Sequence, residues 1–178
     1  MKNSKTSLAA LLFATCSIAA LPIAGHAASE KDLQVAARTF AFVQGVPAGN
    51  LNVPIIYNSA DPASKADAEA THAVMQGGLK AGKHTLTSTL VDLGSIGSAN
   101  GKVAYVATNV GDYNKVGSTA ASKGMLTFTT DFGCVNAQKC VMGVASSPNV
   151  KIEISRSAAS ASNLEFEQAL KLMVTEKD

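Results

Sequence analysis

Apolar and polar residues follow two periods along the chain, and these periods predict alternating helices and strands. Between residues 30 and 44, Leu33, Ala36, Ala37, Phe40 and Val43 recur at three- and four-residue steps, which predicts a helix. Short apolar runs bounded by turn residues predict four strands, at residues 52–57, 84–93, 102–108 and 125–130. Two further helices are predicted between the strands, at residues 63–79 and 114–123.

The helix predicted at residues 63–79 has a clear start. Asp61 is a good N-cap residue, and Pro62 then takes the first helical position. Small and apolar side chains are available for its packing: Ala66, Ala70, Ala73, Val74 and Leu79.

The C-terminal third predicts a hairpin followed by helices. Residues 141–145 and 150–155 alternate as two strands around a turn, and residues 156–161 begin a helical segment. A final helix is predicted over residues 163–177, although its apolar residues spread over a wide arc: Leu164, Ala169, Leu170, Leu172, Met173 and Val174. The order predicts an α/β domain, three-layer-like, with a mainly parallel sheet, a C-terminal antiparallel hairpin and a closing helix.

The first 27 residues have the pattern of a secretion signal. Lys2 and Lys5 form a positive head, residues 7–20 form a short apolar body, and small residues at 25–27 end the segment. We expect cleavage after Ala27, which leaves residues 28–178 as a single α/β domain. The apolar run is shorter than the ~20 residues that a membrane span needs. The chain is therefore expected to be a periplasmic protein that is not inserted in the membrane after processing.

Two features of this segment change the picture. Cys16 leaves open a second interpretation, in which it is the lipid-attachment residue of a lipoprotein. Removing Lys2 and Lys5 leaves 13 basic and 13 acidic side chains, because the full chain has 15 and 13. A neutral surface gives no counterion-release drive toward nucleic acid and no polybasic attraction to lipid.

Two cysteines remain after processing, Cys134 and Cys140. An even number of cysteines in an exported protein favours a disulfide, here one that closes a short loop. A redox-regulated disulfide and a metal site are the alternatives, but no further cysteine or histidine lies nearby to complete a metal site.

Three polar loops follow predicted strands, and in an open α/β sheet such loops form the ligand site. Their expected ligand-binding residues are Asn58, Ser59 and Asp61 in the first loop, Asn109, Asp112 and Tyr113 in the second, and Asp131 in the third. The helix after the first loop is expected to offer unpaired N–H groups to an anion. Each of these residues can equally serve its own turn or helix cap.

Catalytic patterns are scarce in this sequence. His72 and His84 are the histidines of the domain, and neither lies in a motif for nucleophilic or metal catalysis. We expect no catalytic residue, no metal and no cofactor. Convergence of either histidine with Asp112 or Asp131 would favour an enzyme instead.

The C-terminal third resembles the YfiR-like periplasmic family. The segments that carry the resemblance are Gly133-Cys134-Val135, Lys139-Cys140-Val141-Met142-Gly143-Val144, Val150-Lys151-Ile152-Glu153-Ile154-Ser155-Arg156-Ser157-Ala158-Ala159, Leu164-Glu165-Phe166 and Leu172-Met173-Val174. Residues 53–64 are also similar to one lobe of a periplasmic solute-binding protein.

The resemblance implies a non-enzymatic periplasmic binding or regulatory protein. Its partner would be a membrane-bound signalling or transport protein such as a diguanylate cyclase, whose activity it would restrain by binding. Its disulfide chemistry would make this inhibition depend on redox state. The alternative is a small periplasmic solute-binding protein for a polar metabolite, linked to a transporter or sensor. A homodimer is a further expectation. An exposed apolar patch on the final helix or near the disulfide loop would favour the regulator.

Overall fold

The computed structural model describes residues 27–178, so the predicted signal peptide, apart from Ala27, and Cys16 lie outside the described residues. Within that range, strands of one sheet are β1 (Gly49–Tyr57), β2 (Leu79–Ala81), β3 (His84–Asp92), β4 (Val103–Val106), β5 (Leu126–Thr129), β6 (Met142–Ala145), β7 (Lys151–Ser155) and β8 (Thr175–Lys177). The helices are α1 (Glu30–Phe40), α2 (Pro62–Met75), α3 (Tyr113–Lys123), α4 (Phe132–Asn136), α5 (Arg156–Ala161) and α6 (Gln168–Lys171), with a 3-10 segment at Leu93–Ser98.

The strands are ordered β2-β3-β1-β4-β5-β6-β7-β8. Five of the seven neighbouring pairs are parallel, and β2 with β3 and β6 with β7 are antiparallel. The predicted mainly parallel sheet with a late antiparallel hairpin is therefore confirmed. The chain runs outward from β1 to β3 and then returns to the other side of β1 at β4, so the order reverses between β1 and β4.

Both faces of the sheet are covered, which explains why β4 is apolar throughout. Val103 and Tyr105 join a core that contains residues of α1, α2 and α5. Ala104 and Val106 point the other way into a core that contains residues of α3 and α4. A strand buried on both faces has a continuous apolar sequence, as parallel strands in α/β proteins do.

Helix α1 forms where its apolar stripe predicted it. Ser29 and Asp32 make a capping box at its start, in which each side chain bonds the other residue's backbone N–H. The buried side chains include the expected ones, Leu33, Ala36, Ala37 and Phe40. The helix ends at Phe40 and not at residue 44, because Val43 instead forms an antiparallel bridge with Phe166.

Helix α2 begins as predicted, but the opposite side of it is buried. The Asp61 carboxylate caps its first turn, and Pro62 is its first residue. The buried residues are Ser64, Asp67, Ala68, Thr71 and Met75, whereas Ala66, Ala70 and Ala73 are exposed. The prediction failed because alanine fits either side of a helix, while the polar residues of this face find partners inside. Leu79 lies beyond the helix in β2.

The predicted final helix is wrong over most of its length. Residues 163–177 contain only the four-residue helix α6 and the edge strand β8, which pairs with β7. Before α6, the chain runs back beside residues 42–44, where Gln44 N–H donates to the Glu165 carbonyl and Glu167 N–H donates to the Phe42 carbonyl. Apolar residues spread over a wide arc gave no single helical face to bury.

The predicted disulfide is present. Cys134 in α4 is bonded to Cys140, their Cα atoms lie 5.3 Å apart, and both residues are fully buried. The loop that they close begins within α4, a helical turn that the sequence did not predict. Among the helices of residues 27–178, none has the length and apolar character needed to cross a membrane.

Candidate functional site

The loops that follow β1 and β4 meet where the strand order reverses. The Ala107 N–H just after β4 donates to the Ile56 carbonyl of β1 at 2.9 Å, which holds the two strand ends together. Ligands of open α/β proteins bind beyond the carboxyl ends of the strands at such a point. We call this side of the sheet, with its three polar loops, the carboxyl edge.

Short backbone contacts shape the first loop. The Asn58 side-chain oxygen accepts a hydrogen bond from Ala60 N–H at 3.0 Å, which makes a tight turn. The Ser59 N–H donates to the Asp92 carboxylate at the end of β3, also at 3.0 Å. This contact joins the first loop to a strand that the sequence pattern had not linked to the site.

The first turn of α2 is not open to an anion, contrary to the expectation. Asp61 Oδ1 accepts hydrogen bonds from the N–H groups of Ala63 and Ser64, each at 2.9 Å. A carboxylate in this position satisfies the free N–H groups and places a negative charge where an anion would bind. Asp61 therefore serves as a helix cap.

The second loop combines two unusual backbone conformations with a buried anchor. Asn109 and Gly111 have φ of 53° and 86°, in the left-handed region that asparagine and glycine tolerate best. Val110 between them is fully buried. Asp112 caps α3 by accepting from Lys115 N–H at 2.9 Å. The side chain of Asn109 is consequently left exposed at the carboxyl edge.

The third loop is tied to the second through Asp131. Its Oδ1 atom accepts from Gly133 N–H at 2.9 Å, and its Oδ2 atom accepts a hydrogen bond from the Tyr113 hydroxyl. Partial burial, followed by the interaction with Asp131, raises the pKa of Tyr113, so this phenol stays neutral and donates. Because α4 follows at once, the Cys134–Cys140 bridge fixes this loop to the start of β6.

The three predicted loops form one continuous surface. The Asn58 amide nitrogen lies 3.6 Å from the place where a side chain on Gly111 would begin, which connects the first loop to the second. The Tyr113–Asp131 bond connects the second to the third. The structure therefore brings together the predicted loops, while most of their polar atoms serve caps and turns.

Four cavities of about 200–420 Å³ lie on other parts of the protein, and none of the seven predicted ligand residues lines any of these four. Recognition at the carboxyl edge would therefore use exposed side chains such as Ser59 and Asn109.

Asp92 belongs to the carboxyl edge, although sequence reasoning missed it. Hydrogen bonds from Ser59, and then from the Gly94 N–H, lower the pKa of this carboxylate. Asp92 also caps the 3-10 segment that follows β3. The signal for it was present, since an aspartate ends a strand that neighbours β1, but the strand order was unknown.

A buried polar network lies directly behind the second loop. Asp67 of α2, only 2% exposed, accepts from Thr108 N–H at 2.6 Å and from the Thr71 hydroxyl at 3.2 Å. The fully buried Tyr105 hydroxyl lies 3.2 Å from both Asp67 oxygens and 3.2 Å from Thr130 Oγ1. Burial raises the pKa of Asp67, against the opposing effect of these hydrogen bonds.

This network holds the loop that carries Asn109. Thr108 immediately precedes Asn109, so the bond from its N–H to Asp67 fixes the chain as it leaves β4. A carboxylate on the buried side of an alanine-rich helix is costly unless it is paired. That pairing identifies Asp67 as a residue that positions the second loop.

Neither histidine reaches the carboxyl-edge aspartates that an enzyme would need. His72 Nδ1 lies 2.8 Å from Ser88 Oγ, so its partner is a serine of β3. His84 is 3% exposed and packs edge-on against Phe40 at 6.1 Å between ring centroids. Neither ring nitrogen makes a hydrogen bond of good geometry, although the Pro47 backbone lies near enough to act on the pKa of the ring. The convergence with Asp112 or Asp131 that would favour catalysis is not among these contacts.

The carboxyl edge carries mostly negative charge. Asp61, Asp92, Asp112 and Asp131 lie along it, and Lys115 acts on Asp92 as a nearby positive charge. Within residues 27–178, no group of three or more His, Cys, Asp or Glu side chains is arranged to hold a metal ion. The edge suits polar or cationic groups better than anions.

The sheet order, the helices on both faces and the site at the reversal point define a doubly wound α/β protein. No family model matches the chain, and no curated protein matches it. Several solved structures share the fold, and two of them are described. One is an ABC domain in complex with L-Trp from Streptococcus pneumonia, with 12% identity, a TM-score of 0.55, and coverage of 83% of this chain and 59% of that chain.

The second similar structure is a conserved domain protein from Vibrio cholerae. It has 11% identity and a TM-score of 0.52, and the match covers 84% of this chain and 60% of that chain. The present chain therefore spans about three fifths of the length of either protein. Identities this low relate the folds and do not by themselves transfer a ligand.

Proposed function

We propose that this chain is an exported, non-enzymatic binding protein that recognises a membrane-bound signalling or transport protein through its carboxyl edge. The observation that carries the proposal is the joining of three polar loops into one continuous surface at the strand-order reversal. The predicted ligand residues of these loops line none of the four described cavities. A small molecule usually needs a concave pocket, so this surface suits a protein partner better. The negative charge of the edge favours a partner surface rich in Lys or Arg.

One further observation supports a regulatory protein of the YfiR type. The buried disulfide holds the third loop in place. Since both cysteines are fully buried, the bridge is closed to thiolate attack in the folded state, and redox control would require local opening first.

A photo-reactive residue at position 59 tests the proposal in cells that express the protein. Ser59 is exposed on the first loop, and Ser122 is a matched exposed serine in the last turn of α3, at the other end of the sheet. We expect a membrane protein to be cross-linked from position 59 and not from position 122. The same products from both positions, or none from position 59, would refute recognition by this edge.

A small-solute binder is the second candidate, because one of the two similar structures is an L-Trp complex. The acidic edge would favour a solute that carries an amino group, such as an amino acid. Calorimetric titration with a panel of amino acids tests this role. Saturable binding that Ser59→Arg abolishes and Ser122→Arg preserves would support it, whereas absence of heat with every amino acid would exclude this class.

A further inference from the structure

A second surface lies away from the carboxyl edge, and we call it the C-terminal face: α5, the segment 162–167, α6 and β8. Leu172 and Met173 protrude from it, between α6 and β8, and are the most exposed of the large apolar side chains in residues 27–178. β8 is the last strand of the sheet, so its outer backbone groups have no strand partner within the described range. A protruding apolar pair beside an open strand edge is a typical contact surface.

A recess adjoins this protrusion. Its volume is about 420 Å³, and its lining residues are Ile154, Arg156, Ala159, Ser160, Leu164, Glu165, Phe166, Lys171 and Glu176. Ile154 and Ala159 in its wall are 1% and 5% exposed, which makes part of the wall apolar. Lys171 lines the recess and directly precedes Leu172 along the chain, so the protruding pair begins at the rim of the recess.

The charges of this face are balanced. Arg156 and Lys171 contribute two positive groups to the recess lining, and Glu165 and Glu176 contribute two negative ones. A two-fold interface brings the same surface of both subunits together, so it must be complementary to itself. A face with equal numbers of both charges, a protrusion and an adjacent recess meets this requirement without like-charge repulsion.

We propose that the C-terminal face binds a second copy of this chain, with Leu172 and Met173 of each subunit entering the recess of the other. A single two-fold axis satisfies both halves of the contact. A small molecule in the recess would leave Leu172 and Met173 exposed, and for that reason the second copy is the better occupant. The dimer goes beyond the proposed function, because it uses a different surface from the carboxyl edge.

Sedimentation velocity of the purified protein from about 1 μM to 1 mM tests the dimer. We expect a concentration-dependent species of twice the monomer mass. Two variants address the two halves of the contact, the double change Leu172→Asp with Met173→Asp for the protrusion and Ser160→Trp for the recess. All three residues are exposed, so the fold should survive, which circular dichroism verifies. Each variant should raise the dissociation constant at least about tenfold.

Leu90→Asp is the matched control, since Leu90 is 40% exposed and lies in β3, six strand positions away from β8 in the sheet. Its dissociation constant should stay within about twofold of the wild type. A wild type that remains monomeric throughout the range would overturn the proposal, whether or not a small molecule fills the recess. A dimer that is unaffected by both contact variants would overturn it as well. Neither result refutes recognition by the carboxyl edge, which cross-linking from position 59 tests separately.

Discussion

Replacement of Asp67 by asparagine should leave the protein nearly as stable as the wild type, whereas alanine should be strongly destabilising. Asp67 has one partner that can only donate, the Thr108 N–H, and its other partners are the hydroxyls of Thr71 and Tyr105. A hydroxyl donates or accepts as required. The side-chain oxygen of the introduced asparagine can therefore accept from Thr108 while its NH₂ group donates to hydroxyls that have turned around, at a cost below about 1 kcal/mol.

Alanine provides no such replacement. An unsatisfied buried N–H at Thr108 costs about 1–3 kcal/mol, and the space left by the carboxylate adds to that loss. We expect Asp67→Ala to lower the free energy of unfolding by about 3 kcal/mol. Because Thr108 leads into the second loop, its amide should also exchange with solvent faster in this variant. Glu69→Gln is the control, since Glu69 is an exposed acid of the same helix.

The pH dependence gives an independent measure of the buried charge. The pKa of Asp67 is raised above 3.8 in the folded state, because burial disfavours the carboxylate. Its contribution to stability is therefore fully present below pH 3.8 and is lost as the pH rises through the folded-state pKa. Asp67→Asn lacks this loss, so its stability relative to the wild type should improve as the pH rises from 3.8 through the folded-state pKa of Asp67.

Urea unfolding followed by circular dichroism between pH 3.5 and about 8 measures the stability of Asp67→Asn, the stability of Asp67→Ala and the pH dependence of both relative to the wild type. The reasoning fails if asparagine costs as much as alanine at pH 7, because the network would then need the charge and not only an acceptor. It also fails if alanine is neutral, since the Thr108 N–H would then have found another partner. A parallel change in Glu69→Gln would assign the pH effect to the general charge of the helix.

Three further changes test the core. His84→Phe should raise stability by about 1 kcal/mol, because it removes two buried nitrogens without a hydrogen bond of good geometry. Burial and then the charge of Lys83 lower the pKa of His84, so the wild type should lose stability as the pH falls below 6.5, and the variant should not. Urea titration at pH 5 and 8 checks both effects. Replacing Cys134 and Cys140 by alanine should cost about 2–3 kcal/mol in the same assay. Gly101→Ala should cost about 1–3 kcal/mol, because its Cβ would lie 2.8 Å from the Asn52 carbonyl oxygen, and a thermal melt should reveal the loss.

The sequence was a good guide to the central strands because their apolar runs are bounded by clear turn residues. Pro62 and Asp61 marked the start of α2, and Gly124 ends α3 in the left-handed conformation that glycine adopts most readily. The order of strands in the sheet was not predictable, because it depends on contacts between distant segments. For that reason Asp92 was missed, although it ends a predicted strand.

The segment after residue 162 shows the opposite outcome. Its sequence is rich in helix-forming residues, yet Phe166 pairs with Val43 and residues 175–177 join the sheet. Helix propensity is a weak preference, and tertiary contacts to the chain after α1 prevail over it. Leu172 and Met173 were assigned to a buried helical side and are instead exposed, so the same error concealed a candidate interaction surface.

The geometry of the sheet separates the two proposed surfaces. β8 is the last strand of the sheet and lies four strand positions from β4, so the C-terminal face is at one edge of the sheet, away from the loops that follow β1 and β4. A dimer through the C-terminal face would therefore leave the loops around Ser59 and Asn109 free in both subunits. Two free edges on one dimer would bind a dimeric membrane partner more tightly than one edge does, because the second contact becomes intramolecular. Variants that dissociate the dimer should thus weaken partner capture from position 59 without altering the edge itself.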